Sequence, residues 1–433
     1  MNSRLSCLSH LPCLSRRTVR TATVAAIAVV VLTTTGLATP ASGLVSGPAP
    51  MPGPVPMPVP MPGSALIPAP GRAPLSAVAG QGLWSIALDG VDPAHRALSA
   101  RRTAPFRMVG LTWSDPRAVL DGTAQVRTRD RRTGIWSVWR TLDPDVRTPE
   151  SGPDAIGTRA GTQPLWTGLS DGVQVRVAAG VRLPEGLRVE LVDPAGSGTR
   201  PGARIAAPRR AGRPAVIPRS GWGADESLVL ARPRYTAETK AVFVHHTAGT
   251  NRYSCAESAD IIRSIFLYHV RGQRWNDIGY QFLVDKCGTV FEGRAGGIDK
   301  PVLGAHTYGF NADTTGIAVL GDYGAAASNP RILDALADVA AWKLGLRGHD
   351  PAGTVNLVAG ADNGLYRRGQ IVRMKRISGH RDGYPTECPG RNLYADLSRI
   401  RRLAAKKALL AKNALPAPSR GLAAKNTFPA PPR

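Results

Sequence analysis

Residues 241–247, AVFVHHT, and residues 378–390, SGHRDGYPTECPG, constrain this chain more than any other stretches. The first is an apolar run ending in two histidines; the second sets a histidine eight residues before a cysteine. Small and β-branched residues over 240–246 predict a buried central strand. Side chains alternate along a strand, so His245 and Thr247 face one side and His246 the other. Only one of the two histidines therefore joins a site on a given face. One of the two, with His380 and Cys388, would make three soft or borderline ligands able to converge on one zinc ion.

At 433 residues the chain is long enough for two packed cores with linkers between them. Its 37 prolines and 47 glycines assign part of that length to linker and tail. The formal charge of +24 invites a nucleic-acid reading, but its placement argues otherwise. Residues 1–75 hold five arginines, residues 196–220 six, and residues 401–433 eight lysines and arginines, with no acid in any of the three. Charge held in ends and linkers favours loose attraction to a polyanion over a shaped groove, so no specific nucleic-acid partner is expected.

Arg16 and Arg17, an uncharged stretch over 21–40 containing AAIAVVVL, and Ala41-Ser42-Gly43 follow the order of a secretory signal, residues 1–43. Ser15-Arg16-Arg17-Thr18-Val19 also resembles a twin-arginine export signal. The apolar stretch is short for a membrane span, which needs about 20 predominantly apolar residues. Export leaves Cys255, Cys287 and Cys388, an odd number for an oxidising compartment. One solution is a Cys255–Cys287 disulfide with Cys388 kept as a metal thiolate. The other is a buried Cys388 without a role.

Residues 44–75 are proline-dense and read as an extended spacer. Over 76–195 short apolar alternations recur at 106–113, 124–129, 175–181 and 187–192, and Val173, Val175 and Val177 keep a period of two. These predict an all-β, sandwich-like domain. Trp84, Trp113, Trp136, Trp139 and Trp166 offer either a sugar-stacking platform or ordinary packing. Residues 196–214 are a basic linker.

Residues 215–410 change character. Ser254 and Glu257 have the form of a capping box, and Ile261, Ile262, Ile265, Phe266 and His269 recur at helical spacing, which makes His269 a packed helix residue. Residues 278–285 and 288–292 predict a hairpin, with Tyr280, Phe282 and Val284 on one face. A strand over 315–320, a helix from Asn329-Pro330 and a helix over 393–410 complete a mixed α/β domain with a central sheet and packed helices. Residues 411–433 read as a basic disordered tail.

Trp222-Gly-Ala, Val244-His-His-Thr, Asp277-Ile-Gly-Tyr280, Val290-Phe-Glu-Gly-Arg294, Gly304-Ala-His306, Gly316-Ile-Ala-Val and Gly379-His-Arg381 with Cys388-Pro389-Gly resemble, in this order, the peptidoglycan recognition protein and type 2 N-acetylmuramoyl-L-alanine amidase family. Seven motifs over about 180 residues carry the resemblance; its order of signal, β domain and amidase domain is similar to actinobacterial members. It implies zinc held by His245, His380 and Cys388, and hydrolysis of the amide between N-acetylmuramic acid and L-alanine of peptidoglycan. It implies Tyr280 and Thr386 as catalytic residues, the first orienting water or the developing oxyanion, the second standing where some members carry lysine. It implies His306 and Asn311 as substrate contacts, with His246 and His349 left structural. A secreted, wall-associated monomer is expected, its basic tail drawn to anionic wall polymers. The rival expectation is a peptidoglycan-binding protein that does not cut; such members typically lack the cysteine ligand.

Overall fold

The first sheet is built from eight strands: β1 Ser76–Ala77, β2 Leu83–Ala87, β3 His95–Trp113, β4 Gly122–Asp130, β5 Arg140–Leu142, β6 Ala160–Gly161, β7 Leu165–Ala179 and β8 Arg188–Val192. The order is β1-β2-β8-β3-β7-β4-β5, with β6 against β3. Every pair is antiparallel. The computed structural model describes residues 76–77, 82–144, 149–197 and 212–413. The expected signal, proline-rich spacer, most of the basic linker and the basic tail beyond 413 lie outside the described residues.

This domain is all-β, and one continuous sheet supplies both walls of its core. The long strands β3 and β7 lose register at bulges between Leu98 and Arg101, Arg102 and Phe106, and Phe106 and Met108, and bulges bend a strand. Val126 of β4, Leu142 of β5, Val173, Val175 and Val177 of β7, and Leu191 of β8 meet in a single cluster. The five tryptophans do not make a platform. Trp113 and Trp166 are buried and Trp84 packs against the core. Trp136 and Trp139 are half-buried, covered by the guanidinium groups of Arg127 and, for Trp139, Arg176.

The second sheet has six strands: β9 Val216–Ile217, β10 Ala241–His246, β11 Phe282–Val284, β12 Val290–Glu292, β13 Thr314–Val319 and β16 Ile377–Gly379. Their order is β16-β10-β13-β11-β12-β9. A separate hairpin joins β14 Thr354–Val358 to β15 Ile371–Lys375. The helices are α1 Arg219–Trp222, α2 Ser258–Leu267, α3 Pro330–Gly345, α4 His380–Gly383, α5 Arg391–Ala395 and α6 Leu397–Asn413. Helices α3 and α6 cover one face through Leu336, Val339, Leu397 and Ile400 against Val242, Val244 and Ile317. Helix α2 covers the other through Ile262, Ile265 and Phe266 against Leu283 and Ala318. Expected as one helix, 393–410 is two, parted at Asp396, whose carboxylate accepts from the Ser328 hydroxyl.

Strand β10 is interior, with β13 and β16 parallel on its two sides. The expected hairpin is present as β11–β12. Tyr280, however, does not share a face with Phe282 and Val284: it joins the α2-side core with Leu283, whereas Phe282 and Val284 point to the α3 side. The strand begins only at Phe282, and Gln281 just before it binds Gly316 N–H and Val302 C=O with its side chain. That break in the pleat resets the alternation.

Met108, Trp166 and Val192 of the first sheet sit in the same core cluster as helix α2, and the described residues of the two sheets belong to one compact unit. The Tyr268 hydroxyl, just past α2, reaches across to Leu111 C=O at 2.7 Å and Thr162 C=O at 2.9 Å. Burial of shared apolar surface, at roughly 25 cal/mol per Å2, couples the two sheets.

Candidate metal centre

Two parallel neighbours end at the same level. Val244 of β10 stands opposite Gly379 of β16, so the next residue of each chain, His245 and His380, emerge side by side at the carboxyl ends of the strands. Their ring centroids are 4.5 Å apart. Cys388 returns to them because the Arg381 N–H donates to its carbonyl at 3.0 Å, closing the loop after α4. Thr386 accepts the Cys388 N–H at 3.1 Å.

One donor atom from each of His245, His380 and Cys388 lies within 4.8 Å of the other two, and all three residues are buried. The Cys388 Sγ is 3.8 Å from His245 Nδ1 and accepts the His246 N–H at 3.4 Å. The other ring nitrogen, His245 Nε2, is 3.2 Å from His306 Nδ1. That leaves Nδ1 as the ligand atom and His306 as the group that orients the ring. His380 Nδ1 is buried with no hydrogen-bond partner. A buried ring nitrogen left so is costly unless a ligand satisfies it. Two imidazoles and a thiolate that leave such an atom free fit a tetrahedral zinc site with one position open.

Burial, followed by the neighbouring His380, His306 and His246, pushes the His245 pKa well below its usual value. Burial and then His246 take His380 down to about 3. Both rings are therefore neutral near pH 7, the state in which imidazole offers a lone pair.

The cleft beside the triad is lined by Trp275, Tyr280, His306, Asn311, His380 and Tyr384, with Gln163 from the β domain. Tyr280 is buried, its ring 5.3 Å from His245. Tyr384 stacks on His380 at 5.5 Å. Asn311 accepts from the backbone N–H groups of His306 and Thr307 at 2.6 and 2.9 Å, so it clamps the loop carrying His306. Of the expected site residues, Tyr280, His306, Asn311 and His380 line the cleft, His245 and Cys388 converge with His380 beside it, and the Thr386 hydroxyl accepts the Cys388 N–H. Sequence reasoning missed Tyr384, Trp275 and Gln163. Tyr384 lay four residues from His380 and was open to notice; Gln163, in another domain, carried no local signal.

His246 turns away as expected, its Nδ1 accepting the Tyr323 N–H at 3.2 Å. His269 packs on Trp275, and its Nδ1 accepts the Gly279 N–H at 3.2 Å. His349 pairs with Glu238 at 3.0 Å. The disulfide is Cys255–Cys287.

Residues 235–391 match the family described as N-acetylmuramoyl-L-alanine amidase, and residues 68–209 match Rv3811 N-terminal galactose-binding domain-like. Peptidoglycan-recognition protein SC2 of Drosophila simulans is 30% identical over 182 residues, 42% of this chain and 84% of that protein. The chain belongs to the peptidoglycan recognition protein family. A second member, from Trichoplusia ni, is 32% identical over 170 residues, covering 39% of this chain and 76% of the relative. Among solved structures of the family, Drosophila PGRP-LB is similar with a TM-score of 0.34 and 26% identity, over 42% of this chain and 92% of that one. Among the described residues, no helix of this family member is long and apolar enough to cross a membrane.

Proposed function

We propose that this chain is a zinc-dependent N-acetylmuramoyl-L-alanine amidase that hydrolyses the amide between N-acetylmuramic acid and L-alanine in bacterial peptidoglycan. The observation that carries the reading is the convergence of His245, His380 and Cys388, with an unpartnered His380 nitrogen, beside a cleft that His380 lines. When bound, zinc lowers the pKa of water to about 7 and polarises a carbonyl, the chemistry that amide hydrolysis needs.

The chain's own residues supply the rest. His306 holds the His245 ring by its Nε2, and Asn311 holds the loop under His306. Tyr280 lines the cleft beside His245; burial first, and then the negative charge of a Cys388 thiolate, push its pKa up, so it stays a proton donor at neutral pH. A donor placed there stabilises charge developing on the scissile carbonyl oxygen. Tyr384 and Trp275 form aromatic walls against which a sugar or peptide can pack. Residues 1–43 serve in this reading as an export signal, the first sheet as a separate β domain, and the basic ends as loose contacts with anionic wall polymers.

The test is digestion of purified peptidoglycan with mass analysis of the products, with and without a chelator. Free stem peptides beginning with L-alanine, lost on chelation and restored by zinc, are expected. Retained peptidoglycan binding without any released peptide would replace the enzyme by a binding protein.

A further inference from the structure

Val126 of β4 and Val175 of β7 point into the core of the β domain, so the residues that alternate with them, Gln125, Arg127, Gln174 and Arg176, point outward. The register sets Arg127 opposite Gln174 and Gln125 opposite Arg176. Both pairs are bonded: Arg127 Nε donates to Gln174 Oε1 at 2.6 Å, and Arg176 Nε to Gln125 Oε1 at 2.7 Å. The Arg127 guanidinium lies 5.4 Å from the ring centroid of Trp136 and 5.2 Å from that of Trp139, and the Arg176 guanidinium lies 4.3 Å from Trp139. Indole and guanidinium thus alternate along one face of the sheet.

These two cations are held but not neutralised. Asp171 pairs with Arg102 and Arg129 at 2.5 and 2.7 Å, but among the described residues no carboxylate forms an ion pair with Arg127 or Arg176, and their side-chain acceptors are the two glutamines. With Nε engaged, both Nη groups of each arginine keep their donors for an outside partner. Stacking on indole, worth about 0.5–1 kcal/mol at an exposed site, fixes the plane of the fork, so little further entropy is lost when an anion binds it. Arg176 also lines an open cavity of about 370 Å3 with His95, Arg96, Thr123 and Gln125. No acidic side chain lines that cavity, although Asp92 pairs with His95 at 3.1 Å.

We propose that this face of the β domain binds a phosphodiester-linked polyol polymer of the cell wall, with Arg127 and Arg176 as its phosphate contacts and the cavity beside Arg176 as the seat of the adjoining polyol. A planar guanidinium fork matches two oxygens of one phosphate. Several cationic positions on one face, Arg127, Arg176 and Arg96, match a ligand whose charge repeats along a chain. The site differs from the basic ends of the chain, which attract by net charge alone. None of its residues lines the cleft beside the candidate metal centre, so it does not depend on the amidase reading.

The experiment titrates the full-length chain with a synthetic glycerol phosphate oligomer at physiological ionic strength, with polyglutamate of equal charge and neutral dextran as comparison ligands. Arg176→Gln is expected to weaken binding of the oligomer about tenfold, and Arg127→Gln with Arg176→Gln about a hundredfold, the loss of one and of two charge-assisted contacts. Arg127→Lys with Arg176→Lys keeps the charge and loses the fork, and binding about tenfold weaker is expected. Arg399→Gln with Arg402→Gln, exposed on α6, removes the same charge elsewhere and is expected to leave the affinity within about twofold. Melting temperatures are read alongside; if the double glutamine variant melts early, the exposed Arg176→Gln and the lysine pair decide. Wild-type affinity in the glutamine variants would leave the ladder as packing. Wild-type affinity in the lysine pair, or an equal loss in the α6 variant, would reduce the effect to bulk charge. Tighter binding of polyglutamate would make the ligand a carboxylate, and a wild type that binds no oligomer would remove the site. Each of these four results overturns the proposal.

Discussion

At the scale of single residues, the metal site is a matter of which atom of each side chain is left over. His245 uses Nε2 toward His306 and keeps Nδ1 for the site; His380 keeps an unpartnered Nδ1. The Cys388 Sγ accepts the His246 N–H. Replacing Cys388 by alanine removes the one anionic ligand, and the expected outcome is loss of bound zinc together with cleavage, read by metal analysis of the dialysed protein. A metal-free variant that still releases stem peptides would sink the site. Alternation along β10 made it legible that only one of the two adjacent histidines joins the site, and the family resemblance pointed to His245. The contact of His306 with His245 was not legible: it spans 61 residues, and only the folded sheet brings the two rings together.

The same physics acts on a histidine that binds nothing. His269 is buried beside Trp275, and burial followed by the Arg294 charge lowers its pKa to about 3. Its Nδ1 must stay unprotonated to accept the Gly279 N–H. In the unfolded chain the same ring titrates near 6.5. Between those values the unfolded state binds the proton and the native state does not, so stability is full above pH 6.5 and falls as the pH drops toward about 3. The slope is about 1.4 kcal/mol per pH unit for this group. His269→Gln keeps an acceptor and removes the titration; urea melts across pH 7 to 4 are expected to show its slope reduced by about one proton. An identical slope in the variant would mean that His269 is solvated in the native state.

At the scale of elements, local chemistry was enough wherever the element was bounded by its own residues. Asn329 caps α3 by accepting from Arg331 N–H and Ile332 N–H, with Pro330 at the first turn. Ser254 and Glu257 form their capping box ahead of α2. The elements that were misread are those set by distant partners. Strand β3 runs back to His95 through HRALSARR, a polar stretch with no apolar alternation, because pairing with β7 holds it. Cys255–Cys287 ties the start of α2 to the β11–β12 turn, 32 residues away in sequence. Cys255→Ser with Cys287→Ser is expected to lower stability by about 3 to 4 kcal/mol in the chain-entropy treatment. Because both sulfurs lie away from the metal ligands, zinc content should be unchanged at 25 °C. Loss of zinc from the folded double variant would show that the disulfide shapes the site itself.

At the scale of the whole molecule, the boundary at 195–215 separates stretches of sequence but not cores. The apolar seam of Met108, Trp166 and Val192 with α2 has no signature in either half alone, since each residue fits its own strand pattern. The clearest polar element of the seam is Asp154 with Arg294, both almost fully buried. Arg294 also donates to Ile278 C=O at 2.9 Å and Leu303 C=O at 3.2 Å, and so braces the loops on either side of the cleft. Asp154 in addition accepts the Asn276 N–H at 2.8 Å. Asp154→Ala strands a buried guanidinium and orphans a backbone donor, changes that cost about 3 to 5 kcal/mol when one partner of a buried pair is removed. Since the seam is one hydrophobic cluster, the loss should be felt by both sheets together. Scanning calorimetry is expected to show a single transition moved to lower temperature. If the second sheet instead melts at its original temperature and only a separate transition shifts, the two sheets fold independently, and the reach of the β domain into the cleft is docking instead of shared structure.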